Sequence, residues 1–338
     1  MSPDAGPATL RPDRGSRRRL AWVVALALAT VAAAVAWRVG PWRHPGFVEY
    51  RMPTSTDIPT AVAVAADGTV WFTIEFSNSI GVLRNGTITK LPKGRQNLEP
   101  IGLAVDSHGF AWYTDAPARV IARIAPDGTI TAFPLRGPVA KLARLTVGPD
   151  DAVWFAEATS LAVTRLKGGT FTRFEASSFS AAPFGVAVDR EGTVWATLQN
   201  VNRLVRISRD GRLSELDVPT RGSVPSDITV DPTGAVWFLE FRGNKIGRYA
   251  DGRFAEFPVP TPRAGLTGLA VAPDGAVWFA EIRGHALGRL HDGVMAEFPL
   301  PRSDARPFDV AVDAANNVWY TDLSGWLGRL SAERARVR

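Results

Sequence analysis

The stretch Gly268–Pro301, GLAVAPDGAVWFAEIRGHALGRLHDGVMAEFPLP, is punctuated as a chain that turns back on itself three times. Leu269–Ala272 alternates as a short strand, and Pro273-Asp274-Gly275 supplies the positive φ of a tight turn. Val277–Ala280 is a second strand and Ala286–Leu290, after a loop, a third. Asp292-Gly293 then turns the chain into a fourth, Met295–Phe298. Four short strands joined by such turns form one antiparallel sheet.

The same template recurs along the chain. Trp71, Trp112, Trp154, Trp195, Trp237, Trp278 and Trp319 follow one another at spacings of 41 or 42, and a fixed period of that length marks a repeat architecture. Asp-Gly pairs recur at Asp67-Gly68, Asp127-Gly128, Asp210-Gly211 and Asp251-Gly252. Paired-helix repeats share the period, but these turns and the Val/Trp/Phe alternation contradict helices. Four strands in each of seven repeats predict an all-β, seven-bladed β-propeller, with the Trp residues as wedges between blades. The Gly-His and Trp-Asp signature of WD40 blades is missing.

Counting strands also closes the ring. After Trp319 the chain reaches Gly328-Arg329-Leu330 and stops without a fourth strand, whereas Phe47–Pro53 (FVEYRMP) matches Met295–Pro301 (MAEFPLP). The N-terminal strand is therefore expected to complete the last blade and remove a sheet edge. The expected divisions are 1–19 as a basic tail, 20–37 as an apolar span, 38–46 as a linker, 47–332 as the propeller and 333–338 as a tail.

Leu20–Trp37 (LAWVVALALATVAAAVAW) has Thr30 as its one polar member. Eighteen helical residues reach about 27 Å, just enough for a bilayer core. Arg11, Arg14 and Arg17–Arg19 precede the run, and Arg38 and Arg43 follow it. That asymmetry places the tail inside and the ring outside a bacterial-type cytoplasmic membrane, as a single-pass protein. Ala34-Val35-Ala36 offers a competing reading, a signal peptide cleaved near Ala36 with a secreted ring.

The chain has 338 residues with 46% hydrophobic and 21% charged, a globular composition. It contains no Cys, which excludes disulfides, thiolate metal sites, a cysteine nucleophile and a lipoprotein anchor. The net charge of +6 could suggest nucleic acid, but residues 1–43 hold seven Arg against two Asp, and the rest is nearly balanced. No nucleic-acid partner is expected. No G-x-S-x-G, Walker loop or His pair at metal spacing occurs.

The repeat D-G-x-V-W-F-x-E followed by I-G-R and E-F-P-x-P, clearest in Gly234–Arg248 and Gly275–Arg289, resembles the streptogramin B lyases, also called virginiamycin B lyases. The resemblance covers roughly residues 47–330. It implies a seven-bladed propeller that opens a cyclic ester by C–O elimination, with a His base and Mg²⁺ held by acids. In the family an acid, a His two residues on and an acid fourteen later form the site. Here that pattern falls on Glu99, Ile101 and Asp115, so the metal acids are matched and the base is not. A second functional His of the family is matched by Thr60.

The seven positions eleven residues before each Trp are Thr60, Ile101, Ala143, Phe184, Ser226, Thr267 and Phe308, with no His among them. His44 lies in the tether, and His108 and His291 lie in turns on the opposite face. His285 is on the right face but three blades from Glu99, on the order of 20 Å away and beyond the contact a base needs. Lys141 is a substitute base only if desolvated.

The blade topology also directs one acid per repeat, three residues after Trp, to the loop face: Asp115, Glu157, Glu240, Glu281 and Asp322, with Glu75 displaced by one. Each either pairs with Arg or a backbone N–H of a neighbouring blade, or lines a funnel for a cation or ligand. Together with Thr60 they are the expected ligand face. Two functions follow: a Mg²⁺-assisted lyase on a cyclic ester or depsipeptide, or a non-catalytic propeller that binds a small molecule, peptide or envelope partner at the channel mouth. A monomer is expected. Sugar-lactone-hydrolysing propellers share the architecture, but their scattered metal acids cannot be located by spacing.

Overall fold

The computed structural model describes residues 35–37, 42–93, 100–136, 141–175 and 181–336. The first blade consists of Ile58–Val64, Val70–Glu75, Ser79–Arg84 and Thr87–Pro92, antiparallel and in that order from the ring axis outward. The pattern repeats to the seventh, whose inner strands are Pro307–Val312, Val318–Asp322 and Trp326–Leu330. Its outer strand is Phe47–Arg51, paired from Phe47↔Leu330 to Arg51↔Trp326. The innermost strand of this blade packs on that of the first, so the ring closes as expected.

Two short strands extend it. Trp42–His44 pairs outside Phe47–Arg51, within the expected linker. Val35–Trp37 pairs outside Thr87–Pro92. These are the last three residues of the expected apolar span; the other residues of that span and the basic tail lie outside the described residues. Among the described residues no helix is long and apolar enough to cross a membrane. Ala332–Ala335 forms a short helix capped by Ser331, at the boundary with the expected tail.

The tryptophans explain the ring's cohesion. The seven largest apolar clusters each fill one seam between adjacent blades, and each contains one repeat Trp. In six blades the third-strand Arg lies over that ring, from Arg123 on Trp112 to Arg329 on Trp319, at 5.5–6.0 Å. In three blades an Asp six residues upstream accepts the indole N–H: Asp106 from Trp112 at 2.7 Å, Asp231 from Trp237 at 2.9 Å and Asp313 from Trp319 at 3.1 Å.

Volumes compensate across strands. The aromatic after Trp faces Gly in the paired strand at Phe72↔Gly81, Phe238↔Gly247, Phe279↔Gly288 and Tyr320↔Gly328. A Cβ on any of these glycines would collide with the opposing ring. The fourth blade exchanges sizes, with Ala196 facing Val205. The Gly of the I-G-R motif is thus a packing residue.

The first strand of six blades carries a register shift near its start. In the first, fourth and seventh blades a Thr hydroxyl accepts an amide freed there: Ala61 N–H donates to Thr73, Gly185 to Thr197 and Asp309 to Thr321. Each hydroxyl donates onward to a carbonyl of the next blade, at Pro100, Ser226 and Thr60. The last of these clips the closing seam.

Candidate functional site

The position ten residues before each Trp lies on the innermost strands. It is Ala61, Gly102, Gly185 and Gly268 in four blades and Arg144, Asp227 and Asp309 in the others. Arg144 Nη2 lies 3.2 Å from Asp227 Oδ2, and Nη1 lies 2.9 Å from Asp309 Oδ2. The third, fifth and seventh blades are not neighbours, so one guanidinium that touches all three stands on the ring axis. Val62 N–H in the first blade donates to Asp309, and Leu269 N–H in the sixth donates to Asp227. A buried ionic plug therefore crosses the channel. Burial pushes the Asp309 carboxyl up, opposed first by Arg144. Sequence reading missed this plug; its signal was charge in a column otherwise reserved for Gly and Ala.

One residue nearer the loop face lies the layer in which the resemblance seeks its base. Ile101, Ala143 and Ala156 form a buried apolar cluster, with Phe184 and Phe308 packed against it. These residues come from the second, third, fourth and seventh blades, so they pave the channel floor. Thr60 is buried beside them; its hydroxyl lies 2.8 Å from Thr73 Oγ1 and donates to the Pro100 carbonyl at 3.1 Å. It is a seam residue and does not present itself to a ligand.

The expected metal acids fare differently. Glu99 lies outside the described residues. Asp115 is buried: Oδ2 takes Lys93 Nζ at 2.7 Å, and Oδ1 accepts the Ala118 N–H at 3.0 Å. Both oxygens are engaged, and Lys93, arriving from the first blade, neutralises the charge that would draw a cation. No cluster of three metal-ligating side chains occurs among the described residues. Of the two acids that the resemblance gives to Mg²⁺, the described one, Asp115, is thus already paired with Lys93. Lys141 is exposed, which removes the desolvation a lysine base requires.

The remaining acids of the expected funnel turn into their blades. Glu157 is buried against Thr164, with Arg173 Nε at 3.5 Å. Asp322 is buried under Arg302, and Glu240 and Glu281 are fully buried. Burial, and then the neighbouring Glu256, push the Glu240 carboxyl up to about 7. What the loops expose instead is cationic. Arg242, Arg263, Arg283 and Arg306 are exposed on loops of the fifth to seventh blades, and none has a carboxylate partner among the described residues. Arg283 lies over the Phe241 ring at 5.8 Å, across the seam between the fifth and sixth blades.

His285 occupies a structural slot. Asn202 and Asn244, at the matching left-handed positions, donate to carbonyls of the incoming loop at Val218 and Val259. His285, at the matching position, meets its own incoming loop five residues further on, at the Ala305 carbonyl through Nδ1, and stays exposed. His108 and His291 sit beside the opposite-face turns, bonded near Ser107 and Asp274.

The Virginiamycin B lyase family model matches residues 32–167 and 137–336, which together span the whole ring. The chain belongs to the virginiamycin B lyase family. A virginiamycin B lyase from Nocardia farcinica is 31% identical over 190 residues, 56% of this chain and 65% of that protein. The match thus spans just under two thirds of that relative. Two solved structures superpose with a TM-score of 0.80 at 27% identity. One is a catalytically inactive histidine-to-alanine variant of virginiamycin B lyase from Staphylococcus aureus with quinupristin, covering 84% of this chain and 98% of that one. The other is a streptogramin B lyase, covering 84% and 96%. Within the family fold, this chain brings an apolar floor, a plugged axis and an arginine rim to the face where the expected site falls.

Proposed function

We propose that this chain is a ligand-binding member of the virginiamycin B lyase family that does not carry out the elimination. The observation that carries the reading is the buried apolar setting of Ile101 at the family's base position. Elimination needs a group that removes the acidic C–H proton and a Lewis acid or donor for the charge that develops on the carbonyl side. Ile101 cannot accept a proton, both Asp115 oxygens already hold a donor, and His285, tied to Ala305 through Nδ1, stands three blades away from Ile101.

The ligand, in this reading, is a small molecule or peptide that lays an apolar part over Ile101, Phe184 and Phe308 and turns an anionic group toward Arg242, Arg263, Arg283 and Arg306. The protein acts as a monomer outside the cytoplasm, carried there by its basic and apolar N-terminal segment. Reporter fusions after residue 46 test the placement: phosphatase activity supports it and a cytoplasmic reporter's activity contradicts it.

Turnover is tested with quinupristin and the full chain, with Mg²⁺ and with EDTA. Loss of a general base costs about 10²–10⁴-fold in rate, and ring opening is expected at or below that reduced level. Robust, EDTA-sensitive opening would overturn the proposal in favour of a lyase with an unforeseen base.

A further inference from the structure

The fifth, sixth and seventh blades repeat one ionic arrangement beneath the loop face. In the fifth, Thr220 N and Oγ1 donate to Glu256 at 3.0 and 2.8 Å, and Lys245 Nζ reaches both Glu256 Oε2 and Thr220 Oγ1 at 2.7 Å. Glu240 stands directly opposite Lys245 in register, and its own oxygens meet no donor, since the ammonium is turned to Glu256 and Thr220. In the seventh, Glu49 and Asp322 take the carboxylate positions, and Arg302 supplies the cation, bonded to both.

The sixth blade keeps the acids and loses the cation. Thr261 N and Oγ1 donate to Glu297 at 2.9 Å each, which fixes this carboxylate as Glu256 is fixed. Glu281 stands opposite Ala286, where the fifth blade has Lys245. Glu281 is fully buried, its oxygens meet no amide, hydroxyl or cation, and the carboxyl beside it is that of Glu297. Gly284 closes over Oε2, where any Cβ would collide with it. Among the described residues no Lys, Arg or His pairs with Glu281 or Glu297. Two neighbouring carboxylates in a buried site cannot both stay charged without a counter-charge; they share a proton or take a cation.

We propose that the sixth blade binds a calcium-class divalent cation between Glu281, Glu297 and Thr261, in the space that the Lys245 side chain fills beside Glu240, Glu256 and Thr220 in the fifth. The donors are all carboxylate and hydroxyl oxygens, which suit a hard cation and not zinc or copper. Two carboxylates balance its charge. The ammonium it replaces sits 2.7 Å from its oxygens, close to the roughly 2.3–2.6 Å of calcium–oxygen contacts. Glu297 is only half-buried and gives the ion an approach from the outer strand.

The test is thermal unfolding of the EDTA-treated full chain, titrated with Ca²⁺, Mg²⁺ or Na⁺ at constant ionic strength. At a hundred times its dissociation constant, Ca²⁺ should raise the melting temperature by about 4 °C. Ala286→Lys installs the fifth blade's ammonium and should abolish the Ca²⁺ response while melting higher than wild type in EDTA. Glu281→Gln should abolish the response without it, and Glu297→Gln checks the second ligand. No shift with any of the three metals would overturn the proposal, as would a Ca²⁺ shift that survives both Ala286→Lys and Glu281→Gln. The readout does not depend on turnover, so it stands or falls separately from the binding function.

Discussion

Replacing Arg144 with Met removes the positive charge on the ring axis but keeps most of the stem's volume. Asp227 and Asp309 then remain, 8% and 4% exposed, facing one another without their shared cation. Breaking a buried ion pair from one side costs about 3–5 kcal/mol. A ring of about 290 residues unfolds with an entropy of about 0.6 kcal/mol/K, so the melting temperature should fall by about 5–8 °C. Calorimetry at pH 7 measures this. Two companion results fix the cause. Adding Asp227→Asn and Asp309→Asn to Arg144→Met should recover much of the loss, because no charge is then left unpaired. Acid should narrow the gap between Arg144→Met and wild type, since protonated aspartates no longer repel. A variant melting within 2 °C of wild type, or one the neutralising pair does not rescue, would refute the plug as the element holding the axis together.

Glu49→Ala should lower the melting temperature by a comparable amount. It strips Arg302 and the Tyr320 hydroxyl of a fully buried acceptor on the strand that closes the ring. Gly288→Val should destabilise by about 1–3 kcal/mol through collision with Phe279; combining it with Phe279→Ala, the fourth blade's own pairing, should recover part of the loss in chemical denaturation. Glu240, raised from 4.5 to about 7 in the fold, binds its proton more tightly folded than unfolded, so its contribution is fully present below about pH 4.5 and lost as pH rises through 7. Glu240→Gln should therefore flatten that segment of the melting-temperature profile between pH 4.5 and 7, and an unchanged profile would contradict the assignment.

The ring was legible because its signals are local and periodic. Trp every 41 or 42 residues, Asp-Gly at hairpins and a missing last strand each follow from one blade's geometry, and Phe47–Arg51 pairs where the count put it. The direction of the strand-end acids was not legible. At the end of a twisted strand, a carboxylate facing the channel and one facing the outer strand share the same sequence position. What decides is the partner, and partners such as Lys93 for Asp115 come from another blade. Arg302 on Glu49 joins residues 253 apart in sequence for the same reason. The plug was within reach: aligning the column ten residues before Trp isolates Arg144, Asp227 and Asp309 among Gly and Ala. The role of His285 was likewise visible beside Asn202 and Asn244, once the column seven residues after Trp is read as a left-handed cap.

The changes at the mouth reinforce one another. A base at position 101 would act on a substrate whose developing charge sits near the acid pair, so it is useful only where that pair is free to hold a cation. Here Lys93 closes on Asp115, with side chains 1% and 3% exposed, and the floor around Ile101 is apolar. A buried imidazole placed there would be pushed toward its neutral form by desolvation, and the Arg144 guanidinium, whose Nη1 reaches the Ile101 carbonyl at 3.5 Å, is held in place there by Asp227 and Asp309. Neutral imidazole is able to accept a proton, yet the imidazolium formed by that step would have no carboxylate of its own, because the axial acids Asp227 and Asp309 are already committed to Arg144. The stabilisation of charge that makes such a step fast is therefore missing at both ends of the proton's path. The acids that could supply it are turned into the blades, and the loops present arginines. The mouth as built favours holding an anion over making one.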